Sequence, residues 1–140
     1  MVTDVLERFS PATQDWFRAS FVAPTAAQAG AWDAISSGDH TLVVAPTGSG
    51  KTLSAFLWAL DRLAAEPPPE EPLRRCRVLY ISPMKALAVD VERNLRSPLV
   101  GIGHAAARSG QPQPDVSVAV RSGDTPAGER RAFARRPSDV

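Results

Sequence analysis

Residues 45–52, APTGSGKT, combine two glycines, a lysine and a threonine in a spacing that suits phosphate binding. Gly48 and Gly50 permit backbone dihedral angles that other side chains forbid, so the chain can fold around an anion. Lys51 would reach the β- and γ-phosphates of a nucleotide, and the Thr52 hydroxyl would coordinate Mg²⁺. The segment therefore matches the phosphate-binding pattern A-x-x-x-x-G-K-T, with alanine where glycine is usual.

The backbone of the same loop supplies further predicted contacts. The amide N–H groups of residues 48–52 would form a nest for the β-phosphate, and the following helix would add its positive N-terminal end. The predicted nucleotide contacts in the loop are Thr47, Gly48, Ser49, Gly50, Lys51 and Thr52, of which Lys51 and Thr52 also serve catalysis. The loop by itself indicates a nucleoside triphosphate, because kinases, transporters, GTPases and motors share it.

Upstream of the loop, Thr25 and Gln28 allow two interpretations. As T-x-x-Q they form a capping box, in which each side chain bonds to the other residue's backbone at a helix start. Alternatively, the Gln28 amide presents a donor and an acceptor to the edge of an adenine ring. Both interpretations begin a helix at Thr25, and they differ in where the glutamine side chain points.

Short apolar segments and amphipathic ones would position these residues. Residues 41–45, 77–82 and 116–121 are typical of buried strands. The predicted helices run from Ser10-Pro11 through Phe17, from Thr25 to near Gly38, over 51–64, over a segment with Leu87, Val91 and Leu95, over 99–108 and over 126–135. Alternating strands and helices predict an α/β fold, a parallel sheet with helices on both faces.

The predicted organisation has two regions and an incomplete sheet. Residues 1–40 carry the first helices, and residues 41–140 carry the three strands and the glycine-rich loop. The chain stops at 138–140, where a fourth strand would begin, and a parallel sheet without its next strand has an unpaired edge. We therefore expect a domain that is truncated at its C-terminus.

Composition limits the class of protein. No apolar stretch approaches the ~20 residues of a membrane span, and the N-terminus lacks a signal-peptide layout. A single cysteine, Cys76, cannot form an internal disulfide, which fits a reducing cytoplasm. Residues 1–72 carry 4 basic and 9 acidic side chains, whereas residues 73–140 carry 12 basic and 6 acidic ones. The second half therefore either faces phosphates or presents solvated helix faces.

Several segments together resemble one family. The pair P-T-x-x-Q and APTGSGKT resembles the Q motif and motif I of superfamily 2 helicases. Residues 82–95, SPMKALAVDVERNL, look like motif Ia and are similar to the Lhr (large helicase-related) family in particular. VRSGDT, residues 120–125, and ERRAF, residues 129–133, also resemble Lhr. The resemblance covers nearly the whole chain.

The resemblance implies an ATP-dependent DNA helicase. Members of the Lhr family move 3′ to 5′ along single-stranded DNA and unwind DNA or RNA:DNA duplexes. A role in DNA repair is likewise an expectation that rests on the resemblance. The implied fold is the first of two RecA-like domains, in which 41–140 is the incomplete ATP-binding part and 1–40 carries the Q-motif-like segment. The implied cofactors are ATP and Mg²⁺.

Two segments are candidates for binding nucleic acid. Both would follow a predicted strand at its carboxyl end, on the edge that carries the phosphate loop. The predicted contacts are Ser82, Pro83, Lys85, Arg121, Gly123 and Thr125. Hydroxyls, amides and cations there suit a sugar–phosphate backbone. The alternatives are a turn with a solvated Lys85, and a turn in which Asp124 or Thr125 caps the last helix.

Hydrolysis needs residues that this sequence lacks. An acid must hold Mg²⁺ and a carboxylate must position the attacking water, and in the family a D-E-x-H segment supplies them. The second RecA-like domain, with its arginine fingers, is also absent. We expect this 140-residue chain alone to unwind nothing. The competing interpretations are another superfamily 2 motor, such as an RNA helicase or restriction translocase, and a nucleotide-binding module without motor activity.

Overall fold

The computed structural model describes residues 4–140, apart from the side chains of residues 86 and 88. Residues 1–3 of the predicted N-terminal region lie outside this description. The described α-helices are α1 (Pro11–Ser20), α2 (Ala26–Ser36), α3 (Lys51–Ala65), α4 (Lys85–Arg108) and α5 (Ala127–Arg135), with 3₁₀ helices at Val5–Arg8 and Pro72–Arg74. The predicted helix positions are therefore largely confirmed.

The start of α1 differs from its predicted cap. Pro11 occupies the first helical position, as its fixed φ favours. Ser10 precedes it, but the Ser10 side chain makes no capping hydrogen bond. Its hydroxyl instead donates to Oδ1 of Asp61, a residue only 1% exposed in α3. The serine therefore joins the first helix to the helix that follows the phosphate loop.

The main core lies between α1, α2, α3 and α4. Phe17 and Trp32 are fully buried, and their rings meet edge to face at 5.5 Å between centroids. Leu57 of α3 and Ile102 of α4 belong to the same cluster. Burial of an aromatic or aliphatic side chain contributes about 1.5–3 kcal/mol, so these contacts fix α3 against the N-terminal helices.

Helix α4 is longer than the sequence predicts. Its 24 residues join the two helices expected around Leu95 and over 99–108, and Pro98 lies inside it. A proline removes one helical hydrogen bond, but α4 packs along α1, so tertiary contacts outweigh that cost. Where the helices meet, a Cβ atom on Gly101 would lie 2.1 Å from Nε1 of Trp16. Among the described residues, no helix is long and apolar enough to cross a membrane.

The predicted parallel sheet is not observed. Within residues 4–140, no residue of 41–45, 77–82 or 116–121 is in a β-strand. Two of these segments bond to residues 139–140 instead, for example from Val78 N–H to Asp139 O at 3.1 Å and from Ala119 N–H to Val140 O at 3.0 Å. A strand is defined by a ladder of bonds to a neighbour, and these few bonds do not make one.

Asp139 ties two of these segments together. It is fully buried and accepts hydrogen bonds from Arg75 Nε at 3.2 Å, Arg77 Nη2 at 3.0 Å, and the amide and hydroxyl of Ser117, both at 2.8 Å. Burial raises the pKa of Asp139, but the bonds from Ser117, Arg77 and Arg75 outweigh it and leave that pKa below its ordinary value. The carboxylate therefore stays charged at neutral pH.

Candidate nucleotide site and nucleic-acid surface

The phosphate loop, residues 45–52, adopts the backbone that its glycines predict. Gly48 has φ 84° and Gly50 has φ 78°, both in the left-handed region. The Ser49 hydroxyl donates to Pro46 O at 2.6 Å and closes the turn. A side chain at either glycine position would strain the loop, because L residues other than glycine rarely adopt this conformation.

Helix α3 begins where the loop ends. Gly50 is its N-cap, and the first helical bond that leaves the loop runs from Ser54 N–H to Gly50 O at 3.0 Å. The first amides of a helix have no partner within it, so they are available to an anion together with the positive end of the helix dipole. Lys51 and Thr52 are exposed at this end. The Lys51 ammonium donates to Ala45 O, a bond that it must exchange to reach a phosphate.

Gln28 connects α2 to the loop. The capping box is present: Gln28 N–H donates to Thr25 Oγ1 at 3.2 Å, and Thr25 N–H donates to Gln28 Oε1 at 3.0 Å. The same side chain also donates from Nε2 to Gly50 O at 3.4 Å, and Thr25 Oγ1 donates to Ser49 O at 2.8 Å. The capping interpretation is therefore confirmed, whereas the contact of Gln28 with adenine stays a prediction.

A cavity of about 800 Å³ opens beside the loop. Six of its lining residues are Gln28, Thr47, Gly48, Gly50, Lys51 and Thr52, all predicted from the sequence, and Ser49 is the predicted contact that lies outside it. Its volume falls within the range of ligand pockets, roughly 300–1,000 Å³. The structure therefore brings most of the predicted nucleotide residues to one cavity.

Sequence reasoning missed part of this lining. Trp16 of α1 and Asn94 and Ser97 of α4 line the cavity without having been predicted. Phe21, which follows α1, lines it too, and it is one of three phenylalanines, with Phe9 and Phe17, that the sequence alone offers for stacking on adenine. Phe21 is 44% exposed, whereas Phe9 and Phe17 are buried in the core. Of the phenylalanines near the N-terminus, Phe21 is therefore the one placed to meet a base. No local signal could show that α4 reaches the loop, since that contact depends on packing.

The residues present fit a nucleoside triphosphate with its metal ion. Two left-handed glycines, free helix-start amides and an exposed lysine suit a polyphosphate chain, and the Thr52 hydroxyl suits one Mg²⁺ ligand. Among the described residues, no group of three or more His, Cys, Asp or Glu could hold a metal ion.

The candidate nucleic-acid surface comprises residues 82–85 and 121–125. Lys85 Nζ meets Asp124 Oδ2 at 2.7 Å, so the two segments touch although 39 residues separate the pair. Both side chains remain exposed, at 62% and 77%. Lys85 is therefore both solvated and paired, and its contact with nucleic acid stays a prediction. Gly123 lies close to the same lysine, since a Cβ atom added to this glycine would be 3.6 Å from Lys85 Nζ.

The other predicted contacts are spread around this pair. Ser82 and Arg121 line a smaller cavity of about 260 Å³, and among the described residues the buried Ser82 hydroxyl has no hydrogen-bond partner. Pro83 is exposed, and Thr125 Oγ1 accepts from Ser122 N–H at 2.8 Å. Helix α5 starts after Pro126 without a side-chain cap, so the idea that Asp124 or Thr125 caps it is wrong.

Together, the glycine-rich turn, the helix start and the lysine are typical of P-loop nucleotide-binding proteins. The model of the DEAD/DEAH box helicase family matches residues 25–128. The chain belongs to the DEAD/DEAH box helicase family, and this confirms the helicase resemblance of its motifs.

Several relatives refine this assignment. The chain is 62% identical over 137 residues to an Lhr helicase of Mycolicibacterium smegmatis, covering 98% of this chain and 9% of the relative. It is 51% identical over 136 residues to the Lhr helicase/uracil glycosylase of Escherichia coli, covering 94% of this chain and 9% of the relative. The predicted similarity to Lhr is therefore confirmed, and the chain spans about a tenth of these relatives' length.

A solved structure is similar as well. The helicase Lhr of Mycobacterium smegmatis, bound to ssDNA and AMP-PNP, matches with a TM-score of 0.90 and 60% identity. The match covers 99% of this chain and 17% of that one. At this identity the fold is shared, so the chain has a RecA-like fold. More distantly, an ATP-dependent RNA helicase DBP3 of Chaetomium globosum is 32% identical over 109 residues, covering 74% of this chain and 19% of the relative.

Proposed function

We propose that this chain is the ATP-binding part of an ATP-dependent DNA helicase that moves 3′ to 5′ on single-stranded DNA and unwinds duplexes. The observation that carries the proposal is the phosphate loop, whose two left-handed glycines and exposed Lys51 open onto a large cavity. The Lhr relative bound to ssDNA and AMP-PNP supports both proposed ligands. A cytoplasmic location and a role in DNA repair belong to the same proposal.

The chain's own residues would hold ATP rather than hydrolyse it. The amides at the start of α3 would bind the β-phosphate, and Lys51 would leave Ala45 O to neutralise charge on the β- and γ-phosphates. Gln28, already bonded to Gly50 O, would keep the loop in shape and face the base. Mg²⁺, when bound through Thr52, would neutralise developing phosphate charge. The acidic motif and a second RecA-like domain would come from the rest of a longer protein.

We further infer that 41–45, 77–82 and 116–121 are strands of a parallel sheet in that longer protein. Leu42, Val44, Leu79 and Ile81 are each about 80–90% exposed. Contiguous apolar residues of this kind are normally covered by neighbouring structure. Within each segment these apolar residues stand two positions apart, as side chains on one face of a pleated strand do.

The test uses the full-length protein and four substrates. ATP hydrolysis should rise when single-stranded DNA is added and rise less with RNA of the same sequence. Unwinding should be seen for a duplex with a 3′ single-stranded tail and not for one with a 5′ tail. Stimulation by RNA alone would favour the second candidate, an RNA helicase, which the DBP3 likeness supports. ATP hydrolysis that neither DNA nor RNA stimulates would contradict a motor function.

A further inference from the structure

Residues 121–125 form a self-bonded turn. Ser122 N–H donates to Thr125 Oγ1 at 2.8 Å, and Thr125 N–H donates to Ser122 O at 3.3 Å. Asp124 N–H donates to Ser122 Oγ at 3.2 Å. These bonds fold the turn locally, but each is a single weak contact on the surface of the molecule.

A guanidinium from α5 fastens this turn from one side. Arg130 donates from Nε to Thr125 O at 2.9 Å, and from Nη2 to Ser122 O at 3.0 Å and Gly123 O at 2.7 Å. The guanidinium is planar and rigid, so three carbonyl oxygens can meet it together in only one arrangement of the turn. The backbone N–H of Arg130 donates to Pro126 O, which anchors the arginine in its helix.

The turn at 121–125 determines the position of Lys85. Asp124 Oδ2 accepts from Lys85 Nζ at 2.7 Å, and a Cβ atom on Gly123 would lie 3.6 Å from the same Nζ. A change in the turn would therefore move the Asp124 carboxylate and release the Lys85 ammonium. Both segments of the candidate nucleic-acid surface depend on the shape of 121–125.

We propose that Arg130 is a positioning residue for nucleic-acid binding, which shapes the turn at 121–125 and, through Asp124, sets the place of Lys85. Its charge is engaged by three backbone carbonyls, and its side chain is partly buried, so it does not itself hold a phosphate. The inference rests on the proposed function, since it assumes that single-stranded DNA crosses this surface.

Salt dependence separates a positioning residue from a direct contact. Each phosphate neutralised on a single strand adds about 0.7 to the slope of log affinity against log salt concentration. Loss of a direct contact such as Lys85 should lower that slope by about 0.7. Loss of Arg130 displaces Lys85 but leaves the lysine's charge on the surface, where it still neutralises phosphate. Binding should therefore weaken at every salt concentration while the slope stays unchanged.

The experiment measures binding of a fluorescent oligo-dT to the full-length protein between low and moderate salt. Arg130→Ala should raise Kd about tenfold with the wild-type slope. Arg130→Lys should not restore affinity, because an ammonium cannot span three carbonyls in the way that a guanidinium does. Lys85→Ala is the direct-contact comparison, and Arg131→Ala, the exposed neighbour in α5, should bind within twofold of wild type.

Several outcomes would overturn the inference. Wild-type affinity in Arg130→Ala would do so, as would rescue by Arg130→Lys or a slope lowered as in Lys85→Ala. Binding of AMP-PNP by each variant checks that the phosphate loop remains folded, and Arg130→Gln replaces Arg130→Ala if the latter fails this check. Failure of the proposed function looks different: the wild-type protein would then not bind oligo-dT, whatever residue 130 is.

Discussion

The phosphate loop and the candidate nucleic-acid surface lie in one chain, but different contacts hold them. The loop depends on backbone conformation at two glycines and on neutral hydrogen bonds from a glutamine that is only 5% exposed. The nucleic-acid surface depends on charged side chains, with Lys85 paired to Asp124 and Arg130 fastened to three carbonyls. The first is built from the main chain, and the second from long side chains.

The same contrast explains where the basic charge of the second half goes. Much of it binds within the protein: Arg74 pairs with Glu71, Arg75 and Arg77 with Asp139, and Arg96 with Glu92. Net basic charge alone therefore overstates the phosphate-binding surface. An arginine counts as a nucleic-acid contact only where the tertiary structure leaves its guanidinium unengaged.

The difference between the phosphate loop and the nucleic-acid surface suits their proposed functions. A phosphate loop needs one rigid shape, because its amides must converge on a single phosphate. A surface that tracks a sugar–phosphate backbone without reading sequence tolerates more movement, and exposed ion pairs provide it at a net stability of about 0–1 kcal/mol each. Substitutions at four positions would break or sharpen the comparison.

The largest effect is expected at the loop lysine. Lys51→Ala in the full-length protein should lower DNA-stimulated ATP hydrolysis by about 100-fold or more, because it removes the charge that balances the β- and γ-phosphates. Steady-state phosphate release measures this. Arg62→Ala, an exposed cation on the same helix, is the matched control and should keep activity. Retained turnover in Lys51→Ala would refute the loop assignment.

The second-largest effect is expected at Asp139, the buried carboxylate. Asp139→Ala leaves Arg75 and Arg77 without their shared partner, which should cost about 3 kcal/mol. Hydrogen exchange of the amides around Val78 and Ala119 should then lose protection by about 100-fold. Unchanged protection would show that the charged contacts do not hold these segments.

The pH dependence of that effect has a definite sign. The pKa of Asp139 is lower in the folded protein than its ordinary value of about 3.9. Its contribution is therefore complete above about pH 4 and is lost as pH falls through the folded pKa. The difference in protection between wild type and Asp139→Asn should shrink below about pH 4, and a constant difference would contradict the assigned charge state.

A smaller effect is expected at Gly50. In Gly50→Ala the residue would sit at φ 78°, and its Cβ would lie 2.3 Å from Nε2 of Gln28. The left-handed backbone alone costs about 1–2 kcal/mol, so the affinity for AMP-PNP should fall about tenfold or more. Gly30→Ala is the control: this exposed helical glycine has open space around it, and alanine there should stabilise α2 by about 0.5–1 kcal/mol. Equal binding by both variants would count against a loop held by its backbone.

The smallest effect separates the two roles of Gln28. Gln28→Ala loses the capping box and the bond to Gly50 O, so a loss of about 1 kcal/mol in stability is expected. The preference for ATP over GTP should also weaken if the amide meets adenine. Competition binding with both nucleotides tests this. A lower melting temperature with unchanged preference would leave capping as the glutamine's only role.

Helix positions and the loop were predictable because their signals are local. Pro11 at a helix start, the glycines of 45–52 and the apolar face of α3 each act within a few residues of themselves. The continuous α4 was not predictable, since Pro98 argues locally for a break and only packing on α1 overrides it. The strands were predicted from their apolar pattern, but a strand also needs neighbours to bond with, and 77–82 makes only isolated bonds.

Eight consecutive residues determined the phosphate loop, because positive φ angles and a helix start are properties of the local chain. The sequence also determined the family through SPMKALAVDVERNL and its flanking motifs. Only the tertiary structure decided that Gln28 bonds to Gly50 O, that Lys85 meets Asp124 and that Arg130 fastens the turn beside them. The first two contacts join residues 22 and 39 positions apart, and the third depends on how α5 turns back, so packing alone could bring their side chains together.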